Sequence, residues 1–312
     1  MGLKLLMGSF IKIKFLPIAI FFVALLFFGT SKASAASQVL TISPAIQEMK
    51  LEPGSVSKGT FNVINQGTEP FSFKVYATPY SVTGEDYTPD YNILPGAPTP
   101  ITWFKFSVPA SVVAPGQSVT ESYTVTVPKN IQEGGYYSVG FAETLNPKVQ
   151  QGVTINERVG TLFFIQVGNN VVKKGDLINW KSKFLQEPPL SSSFKLTNSG
   201  SIYYKAEYQY KISDIFGSTK YYTVGQKVIL PQATRKLTIP WRNSPSFGLF
   251  KVSGNVKFLD RDHKLSTKYV LIMSKAARLY TFIGFIAAVI IAIVLAVTRR
   301  RPGRKIKLSR RR

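Results

Sequence analysis

The sequence predicts an all-β protein with two tandem Ig-like β-sandwich domains, an N-terminal signal peptide and one C-terminal transmembrane α-helix. Three observations support this fold class: short segments in which apolar and polar residues alternate, turn residues between them, and an uncharged apolar run near each end of the chain. The predicted organisation is a signal peptide (1–35), a first domain (36–168), a linker (169–177), a second domain (178–274), a transmembrane helix (279–298) and a basic tail (299–312).

The N-terminus has the order of a secretory signal peptide. Three lysines and no acidic residue come before the apolar stretch Phe15 to Phe28, and the small residues Ala33-Ser34-Ala35 follow it. This order predicts cleavage after Ala35, because the apolar stretch is short for a membrane span. An uncleaved N-terminal anchor is the alternative.

Between the two ends, the residues alternate in the way of half-buried strands. Tyr204 to Ile212 and Phe250 to Phe258 are two examples, in which apolar residues recur at every second position. Period two places one face of a strand on a core and the other face in water. Turn signals such as Pro53-Gly54 and Pro115-Gly116 separate the segments. The pattern therefore predicts antiparallel sheets packed as sandwiches.

An internal repeat divides this region into two related halves. Phe61-x-Val63-x-Asn65-x-Gly67 matches Phe194-x-Leu196-x-Asn198-x-Gly200, and two further blocks follow in the same order in each half. Asn and Gly tolerate positive φ and so close a strand. The repeat predicts two copies of one β-unit.

The C-terminal apolar run has the length of a membrane span. Leu279 to Val297 is 19 residues long, which is about 28 Å of helix against the ~30 Å hydrocarbon core of a bilayer. Arg299, Arg300 and Arg301 follow at once, and nine of the last 14 residues are Lys or Arg. Basic residues beside a span stay on the cytoplasmic side. The sequence therefore predicts a single-pass protein of the cell membrane, with extracellular domains and a cytoplasmic tail.

The formal charge of +23 overstates how basic the exported part is. Thirteen of the 39 basic residues lie in the signal region and the tail, so residues 36–278 carry a net charge of +10. A diffuse positive field outside a cell favours anionic partners such as wall polymers or phospholipid head groups. Nucleic acid is excluded because the chain has no motif for it and the predicted location is wrong. The absence of Cys indicates a surface where disulfides are not used, as on many bacteria.

Residues for catalysis are scarce, so the chain is predicted not to be an enzyme and to need no cofactor or metal. The one histidine, His263, lies among Asp260, Asp262 and Lys264, which favours a β-turn over a metal site. The irregular stretch Ser81 to Pro100 holds three acidic residues and two tyrosines. It is interpreted as a solvated loop, with a binding loop or weak Ca²⁺ site as the alternative.

Aromatic residues are the candidates for binding. Tyr136 and Tyr137 are neighbours in a predicted strand, so one faces the core and the other faces out. An outward tyrosine suits stacking on a sugar or contact with a protein, and a sheet-surface ring without a ligand is the alternative. Trp103 is the third candidate, with a position in the core or at a domain edge as its alternative.

The first domain resembles the peptidoglycan-binding domain of the WxL-interacting proteins, which are surface proteins of Gram-positive and related bacteria. The resemblance covers about residues 38 to 168. The residues that carry it are Ile42-Ser43-Pro44, Pro53-Gly54, Phe61 to Gly67, Thr83-Gly84 with Tyr87, Trp103, Pro115-Gly116, Val127-Pro128 and Gly134-Gly135-Tyr136 before Phe141.

The resemblance implies a non-enzymatic adhesion or scaffold protein that contacts peptidoglycan, a cell-wall polymer, or another surface protein. The chain has no Trp-x-Leu sequence of its own, which places it on the interacting side of that system. The alternative function is an accessory or docking subunit of a membrane protein complex.

Overall fold

The computed structural model of the protein describes residues 39–92, 100–107, 110–145, 148–150 and 153–299. The predicted signal peptide and the tail from Arg300 onward lie outside these residues. The described part consists of strands, one short 3-10 helix at Pro100–Trp103 and one long α-helix.

The first sandwich contains two large sheets that enclose one apolar core. Its strands are β1 (Leu40–Ser43), β2 (Ile46–Leu51), β3 (Val56–Asn65), β4 (Phe71–Pro79), β5 (Ser81–Thr83), β6 (Thr88–Asp90), β7 (Phe104–Phe106), β8 (Ala110–Val113), β9 (Ser118–Thr126), β10 (Gly134–Thr144), β11 (Lys148–Gln150), β12 (Val153–Ile155) and β13 (Arg158–Val167). One large sheet has the order β1-β3-β9-β7 and the other β2-β13-β10-β4-β8. Phe61, Phe73 and Phe163 are among the fully buried residues between them.

The second sandwich has its own core and a related strand order. Its strands are β14 (Gly175–Lys181), β15 (Leu185–Gln186), β16 (Leu190–Asn198), β17 (Tyr204–Asp214), β18 (Thr219–Ile229), β19 (Thr234–Trp241), β20 (Phe247–Phe258) and β21 (Arg261–Met273). The sheets have the orders β14-β16-β19 and β15-β21-β20-β17-β18. Both sandwiches thus start one sheet with a parallel pair, β2 on β13 and β15 on β21, and continue it with antiparallel neighbours.

The alternating residues explain why these segments form half-buried strands. In β17 the side chains of Tyr204, Ala206 and Tyr210 are buried, while the lysine and glutamate residues between them are exposed. Burial of one face against a facing sheet removes apolar surface from water, which is the main stabilising term of such a fold. The all-β class and the two sandwich-like domains predicted from the sequence are confirmed.

The C-terminal helix α1 (Lys275–Arg299) follows β21 almost directly. Ser274 caps it, because its Oγ accepts a hydrogen bond from the N–H of Ala277 at 3.1 Å. None of its side chains is buried in the protein, and it is long and apolar enough to cross a membrane.

Candidate functional site: an open strand edge in the second sandwich

The irregular stretch after β4 forms a hairpin that joins the two sandwiches. Strands β5 and β6 pair with each other, and Tyr87 in their turn has a φ of 64°. This conformation turns the Tyr87 ring onto the second sandwich, where its hydroxyl accepts a hydrogen bond from the N–H of Leu230. The guanidinium of Arg235 lies 4.1 Å from the ring centroid. The hairpin is therefore a structural bridge between the domains.

A small apolar cluster completes the junction. Tyr87, Phe164 and Leu230 are buried in it, and rings from both domains pack around them. The hydroxyl of Tyr137 accepts a hydrogen bond from the N–H of Tyr203 at 2.7 Å. Burial raises the pKa of Tyr87 to about 12, and it also raises the pKa of Tyr137. Both phenols therefore stay protonated at physiological pH, and their hydroxyls join the domains by accepting hydrogen bonds from Leu230 and Tyr203.

Each sandwich has a seam, the gap at one side between the edges of its two facing sheets, and the two sandwiches differ at this seam. In the first, β7 pairs with the edge of β9, and the 3-10 helix that holds Trp103 contacts both sheets. In the second, β19 pairs with β16 alone and β18 pairs with β17 alone within the part of the chain that the structure describes. The hairpin covers one end of this seam, where the carbonyl of Glu85 accepts a hydrogen bond from the N–H of Lys236 at 2.9 Å and Asp86 lines a small pocket. The remainder of the seam is open.

A groove occupies the open seam between β18 and β19. Its larger part has a volume of about 390 Å³, and Tyr208, Tyr221 and Trp241 contribute aromatic rings to its lining. The ring of Tyr221 stacks on that of Trp241 at 6.2 Å between centroids. A smaller pocket of about 180 Å³ extends the groove toward the hairpin and shares Tyr208, Thr238 and Ile239 with it.

The β18 edge presents unpaired backbone groups along this groove. The carbonyl of Val228 accepts a hydrogen bond from Arg235 at 3.0 Å, so it points away from β17. Backbone groups of successive residues alternate in direction along an antiparallel strand. The N–H and C=O groups of Tyr222, Val224 and Gln226 therefore also point away from β17, toward the open side. Such a row is a template for pairing with another extended chain.

The charges at the groove are mostly positive. Lys227, Arg235, Lys236 and Arg242 line the two pockets, and Asp86 is the acidic residue among the lining groups. The site therefore combines an aromatic floor, a free strand edge and a basic rim. This combination suits the binding of an extended polypeptide with apolar and acidic side chains.

The three predicted binding residues do not lie at this groove. Trp103 and Tyr136 are buried in the first sandwich with ring centroids 4.9 Å apart. Tyr137 lies at the junction of the domains. The binding role of these three residues stays a prediction.

Sequence reasoning missed the residues of the groove. Tyr208, Tyr221 and Trp241 have the pattern of ordinary strand residues, because their positions on either side of a seam depend on sheet order. The one indication in the sequence is the length of the strand pattern at β18. Its position at the sheet edge corresponds to that of the much shorter β8 in the first sandwich.

Among the described residues, no group of three His, Cys, Asp or Glu is placed to hold an ion. His263 stacks on Phe258 at 4.3 Å, and Leu259 and Asp260 form a two-residue turn with positive φ. In the β5–β6 hairpin, the carboxylate of Glu85 pairs with Lys195.

Comparison with known proteins gives structural similarity only. No family model matches the sequence, and no curated protein matches it either.

Among solved structures, a chaperone–tip adhesin complex of CFA/I fimbriae biogenesis is 16% identical, with 76% of this chain and 99% of that chain covered and a TM-score of 0.37. The CsuC–CsuE chaperone–tip adhesion subunit complex from Acinetobacter baumannii is 14% identical, covers 76% and 99% of the two chains, and has a TM-score of 0.38. The E. coli chaperone DraB is 14% identical, covers 73% and 98%, and also has a TM-score of 0.38.

The expected membership of the WxL-interacting family is wrong, because no family model matches and the similar solved structures include chaperones of fimbriae and pili. The function, keywords and partner drawn from it, namely peptidoglycan binding, adhesion and a cell-wall polymer, are wrong with it. The residues that carried the resemblance are turn and core positions: Gly54 and Gly116 have positive φ in turns, and Ile42 and Phe61 are buried. Sandwiches of many functions need such residues. That the chain is not an enzyme stays a prediction from its sequence.

Proposed function

We propose that this protein is a membrane-tethered polypeptide-binding protein, which adds an extended segment of an exported partner protein to its sheet at β18. The observation that carries the proposal is the open edge of β18 above the aromatic groove. A strand bound there would form main-chain hydrogen bonds with Tyr222, Val224 and Gln226. Its alternate side chains would pack on Tyr221 and Trp241.

The chemistry of the groove defines the segment that it accepts. The aromatic floor favours apolar side chains at every second position, and the rim formed by Lys227, Arg235, Lys236 and Arg242 favours acidic residues at the ends. A site of this kind protects a strand that has no partner of its own. Protection of an unpaired strand supports a function in holding or assembling other proteins, of the kind that chaperones perform.

The proposal includes the location of the protein. Residues 1–35 are a cleaved signal peptide, each sandwich is of the Ig-like type, and the domains end near residues 168 and 274. Helix α1 spans the membrane from Leu279 to Val297, with Arg299 and the basic tail in the cytoplasm. The β18 groove then lies outside the membrane, where exported chains emerge.

The experiment is site-specific photo-crosslinking in the native host. A photoreactive side chain replaces Tyr222, which is exposed beside the free edge, and the full-length protein is expressed with or without Val224→Pro. Proline removes the N–H that points away from β17, so the internal pairing stays while pairing with a partner is lost. Val224→Thr is the matched control, since it keeps both the N–H and the branched side chain.

The expected result is a protein adduct at position 222 that falls about tenfold with Val224→Pro, which corresponds to about 1.4 kcal/mol of binding free energy. The adduct should persist with Val224→Thr. An equal yield in both variants, or no adduct above that from a probe at exposed Val56 in the first domain, would refute strand addition at this edge.

A further inference from the structure

Exposed apolar residues collect at the end of the second sandwich from which α1 leaves. We name this set the helix-end surface; its members are Phe184, Leu185, Ile215, Phe216, Phe247 and Leu249. The three phenylalanines among them are 61%, 89% and 56% exposed in chain order. Large exposed apolar surface of this kind marks an interaction site on a protein that is otherwise well packed.

Strand register shows that these residues meet at one end of one sheet. Phe247 pairs with Met273, the last residue of β21, and Leu249 and Leu185 flank Leu271 from the two neighbouring strands. In the next strand, Asp214 pairs with Phe250, so the turn with Ile215 and Phe216 extends toward the same end. Three strand spacings of ~4.8 Å separate β15 from β17, so the surface is about 14 Å wide.

The turn that carries Phe216 is held in place by hydrogen bonds. The carboxylate of Asp214 accepts hydrogen bonds from the N–H groups of Phe216 and Ser218, at 3.0 and 2.9 Å. Lys220 forms an ion pair with the same carboxylate at 3.1 Å. Desolvation opposes ionisation there, but the bonds from Lys220 and Ser218 outweigh it, and the pKa of Asp214 is lowered. The most exposed ring of the sandwich is thus held outward on a fixed support.

Helix α1 holds the helix-end surface at a defined distance from the apolar segment that is proposed to span the membrane. The N–H of Ser274 donates to the carbonyl of Ser246 at 2.8 Å, and Arg278 forms an ion pair with Glu187. One helical turn, Lys275 to Arg278, separates the sandwich from the first apolar residue of the span. That turn is about 6 Å long, close to the thickness of one head-group layer on each side of the hydrocarbon core.

The charges around the surface match a lipid head-group layer. Lys183, Lys220, Lys251 and Lys275 lie in or next to the segments that meet at this end. The two acidic residues of these segments, Glu187 and Asp214, are already paired with basic side chains. Apolar rings with a basic surround are the composition of surfaces that rest on membranes.

We propose that the helix-end surface rests on the outer leaflet of the same bilayer that α1 spans, with Phe184, Phe216 and Phe247 in the head-group region. The inference depends on the proposed membrane anchor and is independent of strand binding at β18. Its consequence is a second sandwich of fixed orientation, because a helix alone permits rotation and tilt, whereas a helix with a row of inserted rings does not.

Spin labelling in lipid nanodiscs tests this contact. The chain has no Cys, so Phe216→Cys and Phe247→Cys each give a single labelling site in the full-length protein. Nanodiscs contain phosphatidylethanolamine and phosphatidylglycerol, and collision rates are measured with oxygen, which concentrates in lipid, and with a nickel chelate, which stays in water. Val56→Cys reports a water-exposed position and Ile286→Cys reports the middle of the span.

The expected result is an oxygen-to-nickel ratio at positions 216 and 247 several-fold higher than at position 56. A ratio equal to that at position 56 would overturn the proposal, as would protection from both reagents, which signifies contact with a second copy or another protein. The label at Ile286 separates the two hypotheses: if it is accessible to nickel, the anchor itself is wrong; if it is not, only the surface contact is in question.

Discussion

At the residue scale, Asn65 and Asn198 explain why the repeat in the sequence exists. The Nδ2 group of Asn198 donates to the carbonyls of Ile202 and Ile229, at 2.9 and 2.8 Å, and its Oδ1 accepts from the N–H of Gly200 at 2.9 Å. Asn65 forms the same three bonds at the end of β3, with Glu69, Val113 and Gly67. One amide thus satisfies three backbone groups where a strand ends.

Replacement of Asn198 should therefore be costly. Asn198→Ala leaves two buried carbonyls and one N–H without this partner, and we expect a loss of about 3 kcal/mol in the free energy of unfolding. Asn62→Ala is the control, since this exposed side chain accepts one hydrogen bond, from the hydroxyl of Thr120, and the change should alter stability by less than about 0.5 kcal/mol. Urea unfolding measures both, and similar losses in the two variants would contradict this account.

At the element scale, the β5–β6 hairpin decides how the sandwiches are joined. Tyr87 is buried and satisfies the N–H of Leu230. We expect Tyr87→Phe to cost about 1–2 kcal/mol, because it leaves this donor buried without a partner. Hydrogen exchange is the direct measurement: the Leu230 amide should exchange about tenfold faster, while Tyr222→Phe, at an exposed ring, should leave it unchanged.

The raised pKa of Tyr87 predicts that the stability of the folded protein falls at alkaline pH. Burial raises the pKa of Tyr87 to about 12 in the folded protein, above its ordinary value of 10.0. The stabilisation is therefore complete below pH 10 and is lost as the pH rises from 10 to 12. Tyr87→Phe should weaken the fall in stability across this window. An unchanged pH profile in the variant would show that other buried phenols account for the whole effect.

At the scale of the whole molecule, the basic tail determines which side of the membrane the sandwiches face. Replacing its nine basic residues, including Arg299, Arg300 and Arg301, with glutamine removes the charges that hold the tail in the cytoplasm. With Val56→Cys as the single cysteine, a membrane-impermeant maleimide should label intact cells that carry the natural tail. Labelling should fall several-fold when the tail is neutral. No labelling with the natural tail would mean that the first domain does not face outward.

The sequence alone determined much of the fold. Period-two alternation predicted β17 and β20, the Asn-x-Gly repeat predicted two related units, and the apolar run predicted α1. These features are local, because strand faces, turns and spans are set by residues close together in the chain. The same local character misled the family assignment, since the residues compared close turns and fill cores in sandwiches of many functions.

Only the tertiary structure decided where this protein is open. The position of β18 at a sheet edge depends on strands that are far away in sequence. The seam is covered at β9 and open at β19 because of where β7 and the hairpin pack. The meeting of Phe184, Phe216 and Phe247 at one end of a sheet follows likewise from long-range register. Alternation along one strand states which side chains face the core, whereas pairing between distant strands decides which backbone groups and which apolar rings remain free to bind.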